Sequence, residues 1–260
     1  MIGAGCDVGS LTSKAVIMQG TRILGFGMAR SRTRPEESAQ EVMSAALQSA
    51  GLTSADIAFT VGTGYGREGI SFVKEAISEI TCHAKGARWL VPSAMTVIDI
   101  GGQDCKAMRL DETGKVAKFL ANDKCAAGTG RFLEVMAKAL GVDVSDMGTL
   151  SARAHKPVTL ASTCTVWAQA DVIQHLNDGQ TVADIGAGIN NAMAARVATL
   201  ANAVGLARDV CMTGGVAKNK GVVRALEKLL NARIVLPKKS DPQLAGAIGA
   251  ALFALERAGA

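Results

Sequence analysis

Two short stretches of this chain repeat one another. Cys6–Lys14 reads CDVGSLTSK, and Ile98–Lys106 reads IDIGGQDCK. Each is an aspartate closing an apolar strand, then a glycine turn with small polar residues, then a second strand carrying a lysine. The copies lie about 90 residues apart, which suits two similar α/β lobes rather than a solenoid. The sequence accordingly divides into an N-terminal lobe over 1–93 and a C-terminal lobe over 94–260. Two lobes hinged over a cleft would bring the two turns face to face.

The residues around the turns continue the pattern. MIGAGCDVGSLTSKAVIMQGTRILGFGMA reads as three strands broken at Gly9–Ser10 and Gly20. A helix follows in RPEESAQEVMSAALQSAGL, with Val42, Ala46 and Leu47 on one face and Gly51 at its end. DIAFTVGTGYGR is a strand entering a glycine loop, and EGISFVKEAISEITCHAKGARWLV reads as mostly helical. The second cycle opens with three more strands in MTVIDIGGQDCKAMRLDETGKVAKFLAND. Helices are expected over Thr129–Leu140, Thr163–Asn177 and Thr181–Val204, followed by strand, glycine turn and helix in DVCMTGGVAKNKGVVRALEKLL. RIVLP is a last strand, and PQLAGAIGAALFALERA a closing helix.

Composition narrows the function. Aromatics make up only 3% of 260 residues, too few to build stacking platforms for single-stranded nucleic acid. The net charge of +5 comes from scattered basic residues and reads as a solvated surface. The first residues lack a basic segment followed by an apolar stretch, and no apolar run reaches membrane-spanning length. The expectation is a soluble, cytoplasmic protein with neither nucleic acid nor membrane as partner. Six cysteines in such a chain read as reduced thiols or metal ligands rather than disulfides.

A glycine turn between strands presents backbone N–H groups that can wrap phosphate oxygens. Gly9 admits close approach, Ser10, Thr12 and Ser13 add hydroxyl donors, and Lys14 meets the charge. Asp7 and Asp99, at strand ends, can hold Mg²⁺ directly or through water. Gln103 and Asp104 can orient a water for attack on a terminal phosphate. Either turn alone could be a plain hairpin. As a pair, with MTGGVAKN after a later strand, they point to a nucleotide. No GxxxxGK[ST] is present, so this is not a P-loop protein.

CDVGSLTSK, DIGGQD and MTGGVA resemble the first phosphate, second phosphate and adenosine motifs of the acetate-kinase, sugar-kinase, Hsp70 and actin superfamily. The resemblance covers the whole chain. It implies an α/β fold of two ribonuclease-H-like lobes with ATP in the interlobe cleft. Gly101, Gly102 and Gly130 would face the nucleotide, and Gly214, Gly215 and Ala217 would line the adenosine. A sugar kinase also needs an aspartate base for its acceptor hydroxyl, and no obvious candidate is present.

What the chain offers instead is Cys125 before AAGTGR and Cys164 inside ASTCTVWAQ, both at expected helix starts. Thr129, and Ser162 or Thr163, are the expected N-terminal caps. Phe132, Leu133, Met136 and Leu140 form the apolar face of the first helix, which Gly141 stops. Val166, Ala170 and Ile173 form that of the second. A helix N-terminus favours an anion by ~0.3–1 kcal/mol, which suits thiolates or an anionic cluster. The residues alone also allow both cysteines to be small buried hydrophobes.

NDKCAAGTGRFLEVMAKAL and STCTVWAQADVI, together with DIGGQD, resemble the ATP-dependent activators (component A) of 2-hydroxyacyl-CoA dehydratases. That family also takes in the ATPase subunits of benzoyl-CoA reductase and the reductases of double-cubane cluster proteins. The resemblance implies a homodimer holding one [4Fe–4S] cluster between subunits, with Cys125 and Cys164 of each chain as ligands. Each subunit would bind ATP and Mg²⁺. Hydrolysis would drive an electron at very low potential, received from a ferredoxin or flavodoxin, to an anaerobic partner enzyme. Three alternatives stay open here: an ATPase subunit or reductase serving benzoyl-CoA reductase or a double-cubane cluster protein, a small-molecule kinase of the same fold, and a nucleotide-sensing or filament-forming interaction protein. Cys6, Cys82, Cys105 and Cys211 read as core residues. His83 cannot form a metal pair with Cys82, since helix neighbours do not face each other. His155 and His175 are isolated.

Overall fold

The computed structural model describes residues 1–161 and 164–259. The first sheet holds β1 (Ile2–Val8), β2 (Thr12–Gln19), β3 (Arg22–Arg30), β4 (Phe59–Thr63) and β5 (Glu75–Ala76), in the order β3-β2-β1-β4-β5. Strands β1, β2 and β3 pair antiparallel, while β4 and β5 add in parallel. Helix α1 (Pro35–Ala50) lies between β3 and β4, and α2 (Glu79–Leu90) follows β5. The second sheet contains β6 (Thr96–Ile100), β7 (Cys105–Leu110), β8 (Val116–Asn122), β9 (Val210–Thr213) and β10 (Ile234–Val235), ordered β10-β9-β6-β7-β8. Between β8 and β9 come α3 (Gly130–Leu140), α4 (Met147–Arg153), α5 (Thr165–Asn177) and α6 (Val182–Val204). Helix α7 (Lys220–Leu230) joins β9 to β10, and α8 (Ala245–Gly259) closes the chain.

The sequence repeat is a structural repeat. Read in chain order, each sheet pairs its first three strands as a meander and then adds two strands beyond the first. The register carries the repeat to the residue: Asp7 sits opposite Lys14 in β1–β2, and Asp99 opposite Lys106 in β6–β7.

Compactness does not follow a single cut in the chain. Residues 1–94, 110–117 and 237–260 group as one unit, and 95–109 and 118–236 as the other. The closing helix belongs with the first unit because small residues let it approach closely. A Cβ at Gly5 would collide with the α8 backbone at Ala247 and Ala251, and one at Gly249 with the Cys82 carbonyl on α2. Gly27 approaches α1 in the same way. Ala4 and Cys6 alternate with these glycines along β1 and pack with Ala39 and Val42 of α1. The core of the second unit gathers Ile98, Ile100, Phe132, Met136, Ile189 and Met212. Among the described residues, no helix is long and apolar enough to cross a membrane.

Two expectations need correction. The stretch read as mostly helical from Glu68 is turn and a short strand up to Ala76, and only Glu79–Leu90 is helix. Glu75 and Ala76 pair with Val61 and Gly62, and the Ser78 hydroxyl accepts from the Thr81 amide to start the helix there. On α5, the face read as apolar core is turned outward. Val166 is 72% exposed and Ile173 48%, and Ala170 is exposed too; Ala168 and Val172 are buried in their place.

Candidate functional site

Asp7 is the last but one residue of β1 and is buried. Lys14 Nζ lies 3.7 Å from its Oδ2 and donates to the Thr12 carbonyl at 3.3 Å. His83 Nε2, buried in α2, lies 3.8 Å from the same carboxylate oxygen. Gly246 allows this grouping, since a Cβ there would come within 2.6 Å of both Asp7 Oδ2 and His83 Nε2. The turn itself is braced by Ser31, whose hydroxyl donates to the Gly9 carbonyl at 2.6 Å and pairs with Ser13 Oγ at 2.9 Å. Ser13 is fully buried with its hydroxyl shared in this way, whereas Gly9, Ser10 and Thr12 remain half-buried.

The second turn is built differently. Asp99 is buried in β6, where Thr213 Oγ1 of β9 donates to its Oδ1 at 2.7 Å. Lys106 pairs with the acid of its own turn. Its Nζ lies 2.6 Å from Asp104 Oδ2, with both side chains about 6% exposed. This ion pair closes the turn, and the Gly101 amide donates back to the Asp104 carbonyl at 3.0 Å. Gln103 is exposed at the tip. The carbonyls of Gly101 and Gly102 accept from the first two amides of α3, Gly130 N and Arg131 N, each at 2.8 Å.

Beyond β9, Gly214 adopts φ +82°, and a Cβ there would strike the Ile100 carbonyl. Gly215 is exposed at the start of a 3₁₀ turn that ends at Lys218, and Ala217 is buried within it. Asn219 then caps α7, accepting from Gly221 N and Val222 N. Its amide also donates to buried Asn190 on α6 at 3.0 Å, and Asn190 holds Met147 O and Ser151 Oγ on α4. The reading of the residues missed His83, Thr213, Lys106 and this asparagine pair. Lys106 left a signal as the lysine of the second repeat, and Asn219 as a cap residue directly before an apolar-periodic helix.

The six cysteines sort into two kinds. Cys6, Cys82, Cys105 and Cys211 are buried. Burial pushes the Cys82 thiol up to about 12 and that of Cys211 likewise to about 12. Burial raises Cys6 and Cys105 as well, helped by the charges of Asp7 and of Asp99 and Asp104 respectively. Such thiols are inert core residues. Cys125 is half-buried and Cys164 exposed.

Cys164 does open a helix, as the residue before Thr165, and its carbonyl accepts from Ala168 N at 2.8 Å. Cys125 does not: it stands in a loop five positions before the first residue of α3. Thr129 occupies the cap position, but its hydroxyl donates to the Ala126 carbonyl at 2.7 Å rather than accepting from an amide. Ser162 and Thr163 lie outside the described residues.

A model of the BadF/BadG/BcrA/BcrD ATPase family matches residues 4–254. The (R)-2-hydroxyglutaryl-CoA dehydratase activating ATPase of Acidaminococcus fermentans is 46% identical over 98% of this chain and 97% of its own. The solved activator of the 2-hydroxyisocaproyl-CoA dehydratase from Clostridium difficile, with bound ADPNP, superposes with a TM-score of 0.95. It is 45% identical and covers 100% of this chain and 96% of that one. A ROK family glucokinase from Streptomyces griseus, solved with glucose and AMPPNP, shares the fold alone, at a TM-score of 0.62 and 13% identity over 98% and 100% of the two chains.

Proposed function

Because the chain belongs to the BadF/BadG/BcrA/BcrD ATPase family, we propose that it is an ATP-hydrolysing homodimer that passes a low-potential electron to a 2-hydroxyacyl-CoA dehydratase. A ferredoxin or flavodoxin would supply that electron. The dehydratase partner follows from the relatives, which are named as activators of such enzymes at 46% and 45% identity. The observation that carries the electron-transfer reading is the sorting of the cysteines. Four are buried in the core, and the two that reach the surface, Cys125 and Cys164, are the pair that the resemblance assigns as ligands.

A [4Fe–4S] cluster takes four thiolates and supplies one-electron chemistry when bound. Two accessible thiols per chain fit half of that donor set, so two copies of the chain would complete it. The exposed apolar stripe beside Cys164, with Val166 72% and Trp167 67% exposed, suits burial against a second copy.

On the nucleotide side, the backbone of Gly9 with Ser10, Thr12 and Lys14 would hold phosphate in the first unit. Within the first unit Asp7, beside Lys14 and His83, is the candidate carboxylate for Mg²⁺ or its water shell, and within the second unit Asp99, bonded by Thr213, is the corresponding one. Exposed Gln103 would place the attacking water, while Asp104, held by Lys106, would keep the turn in shape. Gly214, Gly215 and Ala217 would form the adenosine side.

Purification without oxygen tests this directly. Iron and sulfide should each measure about four per two chains, in a species with the mass of a dimer. Cys125→Ala and Cys164→Ala should each abolish the colour. A metal-free monomer, even after reconstitution with iron and sulfide, sinks the proposal. Colourless protein that phosphorylates a small acceptor would move the reading to a kinase.

A further inference from the structure

The loop that carries Cys125 is held by side chains in an unusual way. Asn122, at the end of β8, donates through Nδ2 to the Cys125 carbonyl at 2.9 Å and to the Ala127 carbonyl at 2.8 Å. Thr129 Oγ1 donates to the carbonyl between them, Ala126, at 2.7 Å, and the Thr129 amide donates there at 3.0 Å. Every carbonyl from Cys125 to Ala127 is thus accounted for by one of two side chains. A loop that needed only to connect a strand to a helix could leave these carbonyls to water.

The next residues run straight into the phosphate turn. Gly130 N and Arg131 N donate to the carbonyls of Gly101 and Gly102, so the first amides of α3 answer to the turn rather than to a capping side chain. Gly130 sits close against the turn, since a Cβ would lie 3.0 Å from the Gly101 carbonyl oxygen. Hydrogen bonds, joined by the Thr129–Gly130 peptide link, therefore lead from Asp104 through Gly101 and Gly130 to Thr129 and the Cys125 loop. Thr129 is fully buried and Asn122 half-buried.

We infer that Asn122 and Thr129 are positioning residues: they fix the place of Cys125 and couple it to the state of the Gly101–Asp104 turn. This rests on reading that turn as a phosphate turn, as proposed above. A nucleotide that shifts the turn by a fraction of an ångström shifts the two carbonyls that α3 holds. The helix start and Thr129 follow, and with them the carbonyls flanking the thiol. A pair of packed arrangements, rather than a gradual deformation, is the expected response of so closely bonded a segment.

The full-length protein freed of iron tests this without relying on a loaded cluster. Cys125 is alkylated with iodoacetamide, and its rate is read by peptide mass spectrometry without nucleotide, with Mg·ADP and with Mg·ADPNP. Nucleotide should change the rate by about two- to tenfold, the range that one ordinary hydrogen bond spans in an equilibrium. In Asn122→Leu and Thr129→Val the ratio should fall toward one with nucleotide binding retained, and Thr129→Ser, which keeps the hydroxyl, should restore it. Should a variant not fold, hydrogen exchange of the peptide spanning 127–133 in the wild type decides instead, with slower exchange expected in ADPNP.

A full nucleotide response in both variants, or exchange unaffected by bound nucleotide, overturns the inference. A protein that binds no nucleotide removes the phosphate-turn reading and the inference with it. Iron loading separates the two proposals: responsive Cys125 in a protein that never takes up iron upholds the coupling and sinks the electron carrier. An iron-loaded dimer whose freed Cys125 ignores nucleotide does the reverse.

Discussion

Lys106→Met should cost the second unit about 3–5 kcal/mol, the typical loss when one partner is taken from a buried ion pair. The number follows from the surroundings. Lys106 Nζ and Asp104 Oδ2 are 2.6 Å apart, and each side chain is about 6% exposed. Methionine keeps most of the apolar stem but leaves a carboxylate with neither its cation nor water to replace it. With a urea dependence of about 2–3 kcal/mol per molar, the midpoint should fall by about 1–2.5 M. The chain has two compact units, so a single global transition is not assumed. Hydrogen-exchange mass spectrometry of peptides from β6 and β7 across the titration reads the affected unit directly. Asp104→Asn added to Lys106→Met should recover more than half of the loss, because the stranded charge disappears. A midpoint shift below about 0.3 M in the single variant, or no recovery in the double, would refute the reasoning.

The remaining expectations concern the thiols and His83. In iron-free native protein, a thiol reagent at neutral pH should titrate two cysteines, Cys125 and Cys164, and all six after unfolding; a third fast thiol in the native state would contradict the burial described. The four buried thiols have folded values raised above their unfolded value of 9.0. Above that value the unfolded chain releases protons first, so stability is complete below pH 9 and declines as pH climbs from 9 toward 12. The slope is at most about 1.4 kcal/mol per pH unit for each thiol. Melting temperatures at pH 8, 9, 10 and 11 should show this, with a shallower decline in Cys211→Val; an unchanged slope counts against it. His83→Asn should weaken the Mg²⁺ dependence of ATP hydrolysis by about 10–100-fold, as loss of a group orienting a metal-binding carboxylate does. An unaltered Mg²⁺ titration would assign His83 to packing alone.

The repeat in the sequence made the fold readable because it records a backbone geometry that both sheets need. An aspartate must end a strand, a glycine must permit the turn, and a lysine seven positions after the aspartate must return across the hairpin. Glycine periodicity carried more than turns. The alternation in IGAGCDV marks the face on which α8 rests, since only glycine allows that approach. Side-chain partnerships were less legible. Register places Lys106 opposite Asp99, and only the structure shows the amine also reaching Asp104, an acid that the second turn carries and the first does not. His83 and Asp7 are far apart in sequence and meet only once α2 packs in the first unit. The residues before Ser78 misled because helix propensity is local, whereas Glu75 and Ala76 answer to a strand edge formed by Val61 and Gly62.

Helix α5 shows the limit most clearly. Periodicity correctly groups Val166, Ala170 and Ile173 on one face, but it cannot state what that face meets. Within one chain the helix buries Ala168 and Val172, small residues that bring it close to its neighbours, and leaves the larger stripe outside. A lone exposed valine would need no explanation. A stripe that also carries Trp167 and begins at one of the two accessible cysteines is a different matter. Polar residues would serve a monomer better here, so an exposed stripe of this size fits a surface covered in the working state. The same reasoning ties the apolar stripe to the thiol count: two donors per chain leave a four-thiolate cluster half built, and an uncovered apolar helix beside one donor leaves a surface half buried. A second copy would complete both at once. Val166→Lys should therefore lower dimer content and iron loading together in anaerobic sedimentation, whereas loss of one without the other would separate two features that this argument joins.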